Sequence, residues 1–226
     1  MALPPFQAFA PTSNDTAVTF VTFDGTPKTT HHWQHMDDPV MGGKSVSTFG
    51  TENGMGVFDG TCAIVPFLKA PGFCKIATSG GLLQPKFEDA SAYINGALHL
   101  LVRTTTPSYK GFKVAFSGKN MTKPHPAHHP GPDVPSMKAD FTVPAGSEFS
   151  LVKVPFNSFS VDWSDYTGEC DTKDPTGEQH VCCSAAHPEV CPTAQHLGAL
   201  TGFEVWAEGA EGQFHLEIKE IGAGSL

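Results

Sequence analysis

Three observations predict an all-β chain folded as a two-sheet antiparallel β-sandwich, a jelly roll. Short segments alternate polar and apolar residues, and Gly, Pro, Asn and Asp separate them. Glycine (23), proline (19) and phenylalanine (17) are abundant. No long stretch places apolar residues at i, i+3, i+4 and i+7, so no amphipathic helix is expected.

Val18–Phe23 is the first expected strand. Lys44–Phe49 is the second, where Ser45-Val46-Ser47-Thr48-Phe49 alternates as a half-buried strand does. Gly56–Pro66 and Gly72–Thr78 are expected to pair as a hairpin. Ala97–Thr104 is partly apolar on both faces, which places it inside a sheet. Gly111–Phe116, Ser136–Val143 and Phe149–Pro155 follow, then Leu200–Ala207 and Gln213–Ile221. In the last of these, Phe214, Leu216 and Ile218 face one way and His215, Glu217 and Lys219 the other. Phe87–Ser91 reads as a short turn. About ten strands suit two packed sheets.

Two segments break the rhythm. Residues 119–135 form a Pro/His-rich loop whose Pro124, Pro126, Pro130, Pro132 and Pro135 exclude a central strand. Residues 163–192 are polar and hold four cysteines. A loop of that length is usually functional or separately stapled. No composition break divides the chain, so 1–226 reads as one domain with an N-terminal tail at 1–15.

The 226 residues are 39% hydrophobic, enough for a core. No run approaches the roughly 18 apolar residues of a transmembrane helix. The net charge of −9, from 23 acidic and 14 basic residues, excludes a broadly basic nucleic-acid face. No G-x-S-x-G, H-E-x-x-H or phosphate-cradling glycine loop occurs. No catalytic residues and no cofactor are therefore expected.

The most distinctive stretch is His35-Met36-Asp37-Asp38-Pro39-Val40-Met41-Gly42-Gly43-Lys44-Ser45. Pro39 holds Asp38 extended, and Gly42 and Gly43 permit a sharp reversal. Asp37 and Asp38 are suited to accept hydrogen bonds from free backbone N–H groups of that turn. A structural turn explains the composition. The alternative is a partner-binding loop built from Asp37, Asp38, Pro39, Met41, Gly42, Gly43 and Ser45.

The six cysteines are Cys62, Cys74, Cys170, Cys182, Cys183 and Cys191. Their even number points to disulfides. Cys62 and Cys74 would bridge the two arms of the hairpin. Cys182 and Cys183 would each pair with Cys170 or Cys191, in either order. Zinc is the competing reading, but no C-x₂-C pair is present. Stable disulfides imply an oxidising compartment.

Other metal chemistry is thinner. His31, His32 and His35 lie near Asp37 and Asp38, and His125, His128 and His129 form a second cluster. Clusters of this kind in polar loops are commonly solvated. Asp24 and Glu217 offer oxygens to a structural calcium, against the plainer reading of a solvated polar face. Trp163, between Asp162 and Asp165, is the candidate glycan contact, while Trp206 reads as core.

The order of motifs resembles the complex I intermediate-associated protein (thirty-kilodalton) family. Trp33 followed by Asp38 through Ser45 carries the resemblance, with Lys44 at a variable position. Phe58-Asp59-Gly60-Thr61, Gly72-Phe73, Val154-Pro155-Phe156-Asn157-Ser158-Phe159 and Gly212 through Ile218 continue it. The resemblance implies a galactose-binding-like sandwich. It also implies a non-catalytic assembly factor or accessory subunit that binds a membrane-associated respiratory or photosynthetic protein complex. A carbohydrate-binding module is the alternative. The cysteine-rich insertion departs from the family pattern and favours a lumen or the cell exterior over a reducing matrix. Met1–Asp15 lacks the features of a signal peptide. Ala8-Phe9-Ala10-Pro11 resembles the junction of plastid-targeted proteins in secondary-plastid algae. A thylakoid-lumen or secreted protein is the resulting expectation. Asn14 and Asn120 begin glycosylation acceptors if the route is secretory.

Overall fold

The computed structural model describes residues 16–38, 42–64, 72–79, 84–125 and 134–226. The N-terminal tail, Pro39, Met41, His128 and His129 lie outside them.

Among the described residues, eleven strands form two antiparallel sheets. They are β1 (Thr16–Thr22), β2 (Trp33–Asp37), β3 (Val46–Glu52), β4 (Met55–Cys62), β5 (Phe73–Thr78), β6 (Ala97–Arg103), β7 (Phe112–Gly118), β8 (Ser136–Asp140), β9 (Ser150–Pro155), β10 (Leu200–Glu208) and β11 (Gly212–Gly224). The first sheet runs β3-β4-β11-β6-β9, with β1 also paired to β11. The second runs β2-β5-β10-β7-β8. The expected sandwich is what forms, and β6 lies inside its sheet as its two apolar faces require.

The core lies between the sheets and is built from one side of each strand. Phe112, Val114 and Phe116 of β7, Phe203 and Val205 of β10, and Phe214, Leu216 and Ile218 of β11 are all buried. Each large side chain so buried stabilises by about 1.5–3 kcal/mol. Rings join the layers: Phe20 of β1 stacks on Phe203 of β10 with centroids 5.2 Å apart. After β9, Phe159 packs 5.1 Å from Phe116, and Phe156 lies 6.1 Å from it. This anchors the Val-Pro-Phe-x-x-Phe element in the core. His31 is buried, stacked 4.4 Å from Phe87, and burial lowers its pKa despite the bond between Nε2 and the Phe20 carbonyl.

Two strand expectations are corrected. First, β2 was not among the expected strands, and its last three residues, His35, Met36 and Asp37, were read as the start of the distinctive loop. Its burial alternates poorly because it is an edge strand, with only Trp33 fully inward and Met36 exposed. Second, β4 and β5 do not form a hairpin. β4 pairs with β3 and β11, whereas β5 pairs with β2 and β10 in the other sheet. The segment between them crosses from one sheet to the other. A single helical turn, α1 (Ala194–Leu197), was not expected either. Thr193 caps it by accepting from the His196 N–H, and the His196 ring accepts in return from the Thr193 N–H. Histidine in place of Glu or Gln hides this capping box from a sequence reading.

The crossing also settles the first cysteine pair. Cys62 and Cys74 are free thiols, not a bridge. They stand in strands of opposite sheets, both fully buried, and Cys62 Sγ donates to the Gly72 carbonyl at 3.0 Å. Burial pushes both thiols above their ordinary pKa, so neither is a ready nucleophile. The other four cysteines form Cys170–Cys182 and Cys183–Cys191. Alkylation without reductant is expected to label no cysteine in the native protein and two in guanidinium, read by intact mass. Labelling of Cys62 or Cys74 in the native state would contradict their enclosure.

Candidate functional site

The distinctive loop joins β2, at the edge of one sheet, to β3, at the edge of the other. Its carboxylates turn inward. Asp38 is buried, and its Oδ1 accepts from the Ser45 backbone N–H at 2.7 Å. Its Oδ2 accepts from Ser45 Oγ at 2.6 Å and from the Phe73 N–H at 3.1 Å. Ser45 Oγ in turn accepts from the Ala63 N–H at 3.0 Å. One carboxylate and one hydroxyl thereby tie the loop to both ends of the crossing between β4 and β5. Asp37 repeats the arrangement one residue earlier, accepting from the Ser47 N–H at 2.8 Å and from Ser47 Oγ at 2.5 Å.

The glycines follow from this geometry. Gly42 sits at φ +89°, a left-handed conformation that other residues rarely adopt. A Cβ on Gly43 would lie 2.1 Å from the Asp38 carboxyl carbon. Trp33, the early aromatic, packs on Phe23 and Phe49 with centroids 5.8 and 5.9 Å away. The structure therefore gives Asp37, Asp38, Gly42, Gly43 and Ser45 an architectural part at this corner. Three apolar side chains face outward here, Met36 at 47% exposed, Val46 at 58% and Ile64 at 39%, with His35 and Lys44 exposed beside them.

A second site lies on the outer face of the β5-β10-β7-β8 region. Alternation there sends Lys113, Lys138, Trp206 and Glu208 away from the core, where solvent would be expected. The insertion covers them instead. Lys138 is almost fully buried, paired with Glu208 at 2.8 Å. Its ammonium lies 3.6 Å from the Trp163 ring centroid and 3.9 Å from that of Trp206. Burial lowers the Lys138 pKa, opposed by Glu208. Lys113 binds Asp140 and, from the insertion, Glu169, each at 2.5 Å. Burial opposes its charge, but those two carboxylates outweigh it and raise its pKa.

Trp163 is thus part of the cover. Its Nε1 donates to the Ser136 carbonyl at 3.0 Å, and Lys123 also lies over its ring, at 4.2 Å. Trp206 is buried as expected, but beneath the insertion and not between the sheets.

Beside Trp163 is a cluster of ionisable groups. His180 is buried, with Nδ1 2.7 Å from Asp162 Oδ1 and Nε2 3.0 Å from Asp174 Oδ2. Burial opposes its protonation, but Asp174 and Asp162 outweigh that and raise its pKa. His125, from the 119–135 loop, brings Nε2 to 3.8 Å from Asp162 Oδ1. Asp162 and Asp174 are both buried, and Ser164 Oγ donates to Asp174 Oδ1.

Of these four, only His125 was named for metal chemistry from the sequence. His180 and Asp174 were missed. The available signal was four ligand-type side chains, Asp171, Asp174, Glu178 and His180, between Cys170 and Cys182, which the bridge closes into one loop.

The remaining candidates are dispersed. His32 Nδ1 bonds Ser79 Oγ at 2.7 Å, and His31 is occupied in the core. Asp24 Oδ1 accepts from Thr22 Oγ1 at 2.8 Å and the Thr26 N–H at 3.0 Å, capping its own turn. Glu217 is engaged by Arg103, whose Nε is 2.8 Å away, and by His215 at 3.1 Å. Burial opposes its charge, but His215 and Arg103 outweigh this and lower its pKa.

The fold and the buried corner together define a two-sheet β-sandwich whose edges are locked by one acidic loop. The model of the family "Complex I intermediate-associated protein 30 (CIA30)" matches residues 21–173, and the chain belongs to that family. No curated protein matches the chain. Among solved structures it is similar to PfGH50B, with 12% identity, a TM-score of 0.48, and coverage of 93% of this chain and 24% of that one. An exo-beta-agarase aligns with 8% identity and a TM-score of 0.44, over 90% of this chain and 25% of that one. The chain therefore spans about a quarter of the length of those two proteins.

Proposed function

We propose that this protein is a non-catalytic assembly factor or accessory subunit that docks on a respiratory or photosynthetic protein complex in an oxidising compartment. A thylakoid lumen or the secretory route is the setting we assign to it. The corner between β2 and β3 is the docking element in this reading. Family membership supports the assembly role. The two disulfides of the insertion support the compartment.

One observation carries the choice of surface. The loop spends its carboxylates on internal bonds, while Met36, Val46 and Ile64 stand exposed around it. Two edge strands flank the patch, and unpaired edge backbone is a ready template for a partner segment. Recognition would then rest on apolar contact and backbone pairing, not on the acidic side chains.

The experiment is affinity purification of the tagged chain from native material under non-reducing conditions, with mass spectrometry. The wild type is expected to recover a membrane complex in fixed stoichiometry. Met36→Asp with Val46→Asp is expected to lower recovery at least tenfold while leaving the melting temperature within a few degrees. Recovery of the chain alone, together with saturable binding to a glycan that Trp163→Ala abolishes, would replace this reading with a carbohydrate-binding one.

A further inference from the structure

We propose that His125, Asp162 and His180 form a binding site for one divalent transition-metal ion, zinc by ligand chemistry, with one coordination position open to the adjoining cavity. The ligand atoms of these three side chains lie within 4.8 Å of one another. Asp162 Oδ1 is 2.7 Å from His180 Nδ1 and 3.8 Å from His125 Nε2. Tetrahedral zinc, with bonds of about 2.0–2.1 Å, holds its ligand atoms roughly 3.3 Å apart. The observed separations bracket that value, so small side-chain adjustments admit the ion.

The residue types fit as well. Two imidazoles and one carboxylate suit zinc, whereas calcium and magnesium prefer all-oxygen sets. The second converging set, Asp174, Glu178 and His180, is richer in carboxylate and has only one imidazole. Both sets use His180. The first is favoured because Asp174 already has a different part to play.

That part is outer support. A metal-bound histidine ordinarily gives its other ring N–H to a carboxylate, which fixes ring orientation. His180 has this partner: Asp174 Oδ2 is 3.0 Å from Nε2, and Ser164 Oγ holds the other Asp174 oxygen. Nδ1, which meets Asp162 Oδ1 at 2.7 Å, is then the nitrogen that would exchange that contact for the ion. Asp162 is oriented in the same way, with Oδ2 accepting from the Val181 N–H at 2.9 Å and Oδ1 turned toward both rings. Asp174 and His180 lie within the loop closed by Cys170–Cys182, so two of the elements are fixed covalently before any ion arrives.

The cavity beside them has a volume of about 10 Å³, and His125, Asp162, Trp163 and His180 are among its lining residues. That is room for one water-sized body, suited to a fourth ligand and not to a large substrate. The ion would tie the 119–125 segment to the insertion.

The test uses the full oxidised chain, stripped by chelator, with Zn²⁺ as the titrant in calorimetry and in thermal unfolding. One Zn²⁺ per chain and a raised melting temperature are expected, with Mg²⁺ producing neither. His125→Ala removes a ring whose side chain is 31% exposed, so the zinc-free fold should survive it. That variant is expected to bind Zn²⁺ at least tenfold more weakly with an unchanged zinc-free melting temperature. His180→Gln should behave alike in binding. His32→Ala with His35→Ala should bind as wild type. Absence of saturable binding, binding undiminished in His125→Ala, or loss only in the His32/His35 variant would overturn the site.

Discussion

Asp38→Ala is expected to lower the stability of the protein by about 3–5 kcal/mol. Three donors converge on this carboxylate: the Ser45 N–H, Ser45 Oγ and the Phe73 N–H. Alanine leaves the two backbone N–H groups with no partner and the Ser45 hydroxyl with only the Ala63 carbonyl at 3.3 Å, and each orphaned polar group costs about 1–3 kcal/mol. The loss extends beyond the loop, because Ser45 and Phe73 belong to opposite sides of the sheet crossing. Asp37→Ala should cost roughly 1 kcal/mol, since Asp37 is half-buried and water replaces part of what is lost. Urea unfolding of the two variants beside wild type measures the difference. Equal midpoints for Asp38→Ala and Asp37→Ala would mean that the clamp is not what holds this corner.

The second large effect is at Lys138. Removing one member of a buried ion pair leaves the other charge uncompensated, which costs roughly 3–5 kcal/mol. Lys138→Met is expected to fall in that range, because Glu208, 5% exposed, would lose the cation that pairs with it directly. Adding Glu208→Gln should recover much of the loss, because the stranded carboxylate is then gone. Guanidinium midpoints at unchanged slope, arranged as a double-mutant cycle, give the coupling. Additive losses would show that Lys138 acts through its contacts with Trp163 and Trp206 and not through Glu208.

The sandwich was legible because its strands bury one face. Alternation at Phe214, Leu216 and Ile218, or at Phe203 and Val205, leaves little choice of partner face. β2 was illegible for the complementary reason, since its exposed Met36 weakens the alternation. The hairpin error arose because two good strands, close in sequence, ordinarily pair. Cys62 and Phe73 are close in sequence, and the crossing between them is held by the distant Asp38 and Ser45.

The candidate sites divide along the same line. The acidic loop was recognisable as a unit, because Pro and paired Gly restrict a backbone locally. Its inward orientation was not, because that depends on Ser45, Ala63 and Phe73 meeting in space. The Lys138–Glu208 pair was invisible. Both residues alternate to the outer side of their strands, and only the covering insertion converts that side into an interior. His125, Asp162 and His180 come from separate segments with no fixed spacing, so only the folded chain assembles them.

The two bridges are both internal to the insertion, with sequence separations of 12 and 8, and neither links it to a strand. Oxidation therefore shapes the cover and leaves the assembly of the two sheets to apolar burial and to the Asp38 clamp. The same body would suit a thiol-rich compartment with the cover loosened, its outer face bared around Lys113, Lys138 and Trp206. In that sense the molecule divides into a redox-indifferent chassis and a redox-dependent fairing. A lineage moving such a chassis between compartments would have to rebuild only the fairing.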